Sequence, residues 1–168
     1  MKLVVLIIEG HLYLNVQQDR YVDGSNISQL VIANCQNITV SGANLKKTTM
    51  GGTIAYSTDC TIENSTVMNN THGGLFLTQT ENILIDDNRI SNNGYYLYSQ
   101  VGGILLQYAD RTNITRNIIY NNSRNGIEFH DSDDCLVYNN WISNNTRYGI
   151  RLHSGNDNRI FGNAIGWN

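Results

Sequence analysis

Apolar residues in this chain fall into four columns that share one spacing. Val40, Ile62, Ile85, Ile114, Val137 and Ile160 form the first, and Leu45, Val67, Ile90, Ile119, Ile142 and Ile165 follow five residues later. Eight residues before the first column come Ile32, Ile54, Leu77, Leu106, Phe129 and Leu152, and two before those Leu30, Gly52, Leu75, Ile104, Ile127 and Ile150. Successive members lie 22 or 23 residues apart, except for one step of 29 between Ile85 and Ile114. Short segments such as Ile104-Leu105-Leu106 carry the period of two that a strand needs, and no long helical periodicity occurs. A repeat of this length defines a solenoid or a propeller. A leucine-rich repeat needs a Leu-dominated scaffold, and propeller blades need longer units. Three short strands per coil, joined by Asn- and Gly-rich bends, predict an all-β fold: a right-handed, single-stranded parallel β-helix of about six coils. Each coil advances ~4.8 Å, so equivalent side chains stack on one another.

The polar positions obey the same period. The hexad Asn117-Ile118-Ile119-Tyr120-Asn121-Asn122 recurs from Asn88 and from Asn140, and partially from Asn163. Asn88, Asn117, Asn140 and Asn163 each stand two residues before an inward side chain, which predicts a structural ladder of stacked, inward amides. The second set, Asn70, Asn93, Asn122, Asn145 and Asn168, is expected to supply left-handed turn residues. Cys60 and Cys135 stand two residues before members of the first column, three coils apart, or ~14 Å at the strand spacing. That is beyond disulfide reach, so all three cysteines are expected as buried, free, apolar fillers.

Residues 1–29 lack the later spacing and are assigned to an irregular entry segment or end cap, or to partial rungs covering one end, with strands expected at 3–8, 12–16 and 21–22. Residues 30–168 form the repeat domain. The last coil stops without an obvious cap, so a part of a larger protein is expected, or an end-to-end or covering contact with another subunit. The run at 3–8 is too short for a secretory core, and no segment is long enough to span a membrane. Net charge is −3, Pro is absent and Asn is the commonest residue. With no basic block, nucleic acid is excluded as a partner. The 29-residue step places extra residues at 94–101, a loop that holds Tyr95, Tyr96 and Tyr98 and bulges from a corner beside the Ile104–Leu106 strand.

Outward positions next to that loop hold the candidate chemistry. With Ile127 and Phe129 inward, Glu128 and His130 face out; one coil on, so do Arg151 and His153. Stacking sets Glu128 beside Arg151 and His130 beside His153. Gln107 and Phe76 continue the face, Tyr108 adjoins it, and Asp131, Asp133 and Asp134 follow in the next turn. Tyr95, Tyr96, Tyr98, Gln107, Tyr108, Glu128, His130, Asp131, Arg151 and His153 are thus the candidate residues of a saccharide groove. Aromatic platforms would take sugar faces, and Glu, His and Arg would fix hydroxyls or carboxylates. As an enzyme, Glu128 with Asp131 could cut a glycosidic bond, or Arg or His could abstract a ring proton. The bland alternative is a solvated strand face with a weak ion pair. Two histidines with loop carboxylates are too sparse to name a metal, so no cofactor is expected. Of seven Asn-x-Ser/Thr sequons, Asn69, Asn121 and Asn144 are expected in accessible turns.

The Asn-x-Ile-x-x-Asn-Asn and Gly-Ile-x-Leu motifs resemble the parallel β-helix repeats of NosD-like proteins, also grouped as carbohydrate-binding and sugar-hydrolase repeats. The likeness covers residues 21–168. It implies an exported, periplasmic or cell-surface protein, in some cases tied to copper delivery and in others to polysaccharides. No catalytic motif of alginate epimerases or pectate lyases is matched, so no catalytic residue is carried over. A structural or carbohydrate-binding module with a polysaccharide or glycan partner is the expected function. A polysaccharide-active enzyme on the same face is the first alternative and a copper accessory protein the second.

Overall fold

A computed structural model describes the chain apart from residues 1–3, 9, 16–17, 25–26 and 97–98, with residues 4–8 described through their backbone. The described residues form three sheets of eight, seven and six strands that wind into a right-handed parallel β-helix. The spacing columns are its registers. Val40, Ile62, Ile85, Ile114, Val137 and Ile160 pair in sequence along the second sheet. Leu45 to Ile165 do the same in the third sheet, and Ile32 to Leu152 in the first. Their side chains fill one continuous core, nearly all of it fully shielded from solvent up to Ile142.

Parallel pairing extends below Leu30. His11–Asn15 lies on Gln29–Ala33 and Gln18–Asp23 on Gln36–Ser41, with Leu12 under Leu30 and Val22 under Val40. This coil returns after 18 residues, which a 22–23 period does not detect. Val4–Ile8 pairs antiparallel with His11–Asn15.

Corner chemistry explains the Asn hexad. Asn88, Asn117 and Asn140 are buried. Asn117 Nδ2 donates to Asn140 Oδ1 at 3.0 Å and to the Ile85 carbonyl at 2.9 Å, while its Oδ1 accepts from the backbone and Nδ2 of Asn88. The second set departs from expectation. Asn70, Asn93, Asn122 and Asn145 are also buried, and each Oδ1 takes bonds from the coil before. Left-handed angles fall instead on the residues just before them: Asn69, Asn92, Asn121, Asn144 and Trp167, with φ of 51–57°. The left-handed residue makes the bend, and the bend swings its successor inward, where an amide can satisfy the corner N–H and C=O groups.

The glycine of Gly-Ile-x-Leu, and of its variant Gly126-Ile127-Glu128-Phe129, belongs to this corner. A Cβ on Gly126 would stand 2.5 Å from the Gly149 carbonyl oxygen and 2.9 Å from Asn145 Nδ2. The chain returns to the first sheet so close to the buried amide that a side chain has no room. All three cysteines are buried as thiols. Burial pushes the Cys60 and Cys135 thiols up to about 11, so they are packing groups rather than thiolates.

Candidate functional site

The outward side of the first sheet carries two columns. Phe76, Leu105, Glu128 and Arg151 pair in register, and Thr78, Gln107 and His130 run beside them. Both lie on rigid parallel backbone whose alternate residues are locked in the core, which fixes their direction. Gln100 and Val101 of the corner loop wall one side and close a groove of ≈ 490 Å³. One half is apolar, lined by Met50, Phe76, Val101 and Leu105; the other is polar, lined by Gln107, Arg124, Glu128, His130 and Arg151. Arg124 Nη1 donates to Gln100 Oε1 at 2.8 Å, which ties the loop to the polar half.

Glu128 is the hub of that half. Although it faces outward it is only 5% exposed. Its Oε1 accepts from Arg151 Nη1 at 2.8 Å and meets His130 Nε2 at 2.9 Å. Its Oε2 accepts from Asn125 Nδ2 at 2.5 Å. Burial alone would raise its carboxyl. Hydrogen bonds from His130 and Asn125, with the charges of His130 and Arg151, outweigh that and hold it below the ordinary glutamate value. Glu128 is therefore an ionised acceptor, unsuited to donating a proton. His130 has one ring nitrogen on this carboxylate, and its ring stacks on His153 of the next coil at 4.7 Å between centroids.

The candidate residues divide. Gln107, Glu128, His130 and Arg151 line one groove, and His153 adjoins it through the stacked rings. Tyr95 and Tyr96 line a separate depression with Arg124 and Arg147, and Tyr96 leans on His72 at 4.7 Å between ring centroids. Tyr98 lies outside the described residues. Tyr108, within the Ile104–Asp110 strand, and Asp131, just past Ile127–His130, both have left-handed angles, φ 53° and 48°, and neither lines the groove, so Asp131 is not presented beside Glu128. Pattern reading missed Asn125, Arg124, Gln100 and Met50. Asn125 stands immediately before the Gly126 bend, and that adjacency was the one available signal that it would reach Glu128.

The architecture is that of a right-handed parallel β-helix with a lateral groove, and likeness to known proteins agrees. Over residues 8–168 the chain matches the family described as periplasmic copper-binding protein (NosD), and it belongs to that family. No curated protein matches it. Among solved structures it resembles the periplasmic alginate epimerase AlgG at 21% identity and TM-score 0.72, covering 79% of this chain and 31% of that one. It resembles the A-module of the Azotobacter vinelandii mannuronan C-5 epimerase AlgE6 at 18% identity and TM-score 0.70, covering 92% and 50%. The enzymatically active domain of tailspike protein 2 from bacteriophage CBA120 is a third, at 17% identity and TM-score 0.61, covering 81% and 23%. These likenesses establish the fold; the chain spans half or less of each of those structures.

The family's description raises the question of copper. The described residues do not fit such a centre. Lone pairs of imidazole lie in the ring plane, and the His130 and His153 planes are stacked within 6° of parallel, so the two rings do not converge on one ion. The thiols that copper(I) favours are sealed in the core. Among the described residues, no three His, Cys, Asp or Glu groups stand close enough to hold a metal ion.

Proposed function

We propose that the first-sheet groove binds an acidic polysaccharide along the solenoid axis, and that His130 abstracts a proton from the carbon next to a uronate carboxylate. The observation that carries this reading is the Glu128–His130–Arg151 group, with a buried ionised carboxylate as its hub. Arg151 keeps guanidinium N–H groups beyond the one given to Glu128, and with Arg124 it offers cations for sugar carboxylates. The imidazole of His130 takes the proton on the nitrogen not committed to Glu128. Glu128 then stabilises the imidazolium by its charge and fixes the ring's orientation. Arg151 meets the negative charge that develops on the uronate carboxylate as the C–H bond breaks. Delivery of a solvent proton to the opposite face, with His130 giving its own proton up to water, would invert the centre, whereas departure of the neighbouring glycosidic oxygen, protonated by the His130 imidazolium or by water, would cut the chain. Alginate epimerases among the solved structures of this fold support an acidic uronate as the substrate class.

AlgG, like the family, is described as periplasmic, which supports a place outside the cytoplasm. Among the described residues no helix is long and apolar enough to cross a membrane. Calorimetric titration with polymannuronate and with a neutral glucan tests the groove. Tighter binding of the acidic polymer is expected, weakened at least tenfold in the Arg124→Ala/Arg151→Ala double variant and by added salt. Equal affinity for both polymers, or no loss in the variant, would sink the acidic-groove reading.

A further inference from the structure

Proton abstraction in the first-sheet groove uses the polar half and leaves Met50, Phe76, Val101 and Leu105 without a role. This apolar half is a side of the solenoid with sheet on both flanks. Phe76 pairs with Thr53 and Leu105, and Leu105 pairs onward with Glu128. Phe76 and Leu105 alternate with core residues, so they stand outward, partly buried, as the floor. Val101 comes from the corner loop and stands beside them, 6% exposed. It fills the space of an absent side chain: a Cβ on Gly73 would lie 2.4 Å from Val101 Cβ and 3.2 Å from Met50 Sδ. The apolar half is thus built by the loop's return onto a bare glycine.

Charge divides the sheet at the same place. The outward column that ends in Glu128 and Arg151 runs through Tyr13, Val31, Thr53, Phe76 and Leu105 before it reaches them. The column beside it runs through Asn15, Ala33, Ala55, Thr78 and Gln107 before His130. Neither holds a charged residue before Glu128 and His130. Leu105 lies one coil from Glu128, ~4.8 Å, and Phe76 lies two. A polymer with one uronate at Glu128, His130 and Arg151 therefore lays its neighbouring unit on Leu105, with Phe76, Met50 and Val101 at that unit's far edge. A second uronate there would bring a carboxylate into the half that holds no cation, which is costly. An ordinary hexose would press its hydroxymethyl oxygen, and an acyl ester its carbonyl oxygen, against side chains with no donor, while the strand N–H groups are spent in the ladder. A 6-deoxyhexose carries a methyl group instead. That methyl gains apolar burial, and the remaining hydroxyls stay on the solvent side.

We infer that the groove takes a heteropolymer, in which the unit next to the reacting uronate is an uncharged 6-deoxyhexose seated on Leu105 with its methyl group against Phe76, Met50 and Val101. This rests on the acidic-groove reading and names the second half of its substrate. Homopolymers such as polymannuronate still meet the polar half and so still bind, more weakly. The test is calorimetric titration of the whole chain, at up to millimolar sugar, with disaccharides that share one uronate: galacturonate joined to rhamnose, in both linkage orders, and digalacturonate. At least tenfold tighter binding of one rhamnose-containing disaccharide is expected. Phe76→Lys should lower that affinity and raise the affinity for digalacturonate, Phe76→Leu should keep the preference, and Arg151→Ala should weaken all three sugars. Equal affinities, a preference for digalacturonate, or a preference untouched by Phe76→Lys would overturn the inference and leave the acidic groove standing. Binding of none of the three, or binding indifferent to Arg151→Ala, would overturn both. Sedimentation showing a self-associated chain that Phe76→Lys turns monomeric would overturn the inference too, because the apolar half would then be an interface between copies.

Discussion

A carboxylate that is 5% exposed is destabilising unless its charge is matched, and the two oxygens of Glu128 meet three partners. The match carries a pH signature. Because the folded carboxyl lies below its ordinary value, its contribution to stability is fully present above the unfolded glutamate value of ~4.3 and is lost as pH falls through the lower folded value. Glu128→Gln should remove that dependence. Thermal unfolding curves across the acid range should converge for the wild type and the variant as pH drops, with the wild type more stable near neutrality. Curves that stay parallel throughout would show that Glu128 is not ionised in the fold. The same substitution leaves His130 without a charged orienting partner, so it should also suppress turnover while the polymer still binds.

At the scale of the element, the unit of this fold is the corner as much as the strand. Asn121 and Asn122 are adjacent and chemically identical, yet Asn121 is exposed in a left-handed bend and Asn122 is buried in an amide column. Asn121→Gly should be neutral or slightly stabilising, since glycine accepts the bend. Asn122→Gly should cost ~2 kcal/mol or more by urea unfolding, because Asn93 loses its acceptor and the Ile90 carbonyl and Asn145 Oδ1 lose the Asn122 Nδ2 donor. Equal effects would refute the division of labour between the two positions. Sequence periodicity made the strands legible because one spacing governs four columns. It placed the first Asn ladder because Asn117 stands two residues before Ile119 in the strand's own alternation. It misassigned the second because Asn121-Asn122 sits where the period of two breaks, and a left-handed residue inverts which neighbour points inward. The register of His11–Asn15 was not readable for a related reason: its coil is shorter, so the shared spacing ends at Leu30.

For the whole molecule, stacking coils about one strand spacing apart turns sequence-distant residues into neighbours, and the site is made this way. Arg151 reaches Glu128 across 23 positions of sequence, and Gln100 reaches Arg124 across 24. The Glu128–Arg151 and His130–His153 pairs were readable because they follow the coil period. The tyrosines of the corner loop were not placeable, since residues inserted outside the register take their positions from local packing, as Tyr96 does on His72. His130, oriented by Glu128, is proposed to remove a proton next to a uronate carboxylate, and proton NMR of polymannuronate incubated with the chain in D₂O follows that step. Deuterium should enter at C5 and the H5 signal fade with the wild type, and the signal should survive with a His130→Ala variant that still binds the polymer. An intact H5 signal with wild-type protein that demonstrably binds the polymer would contradict it.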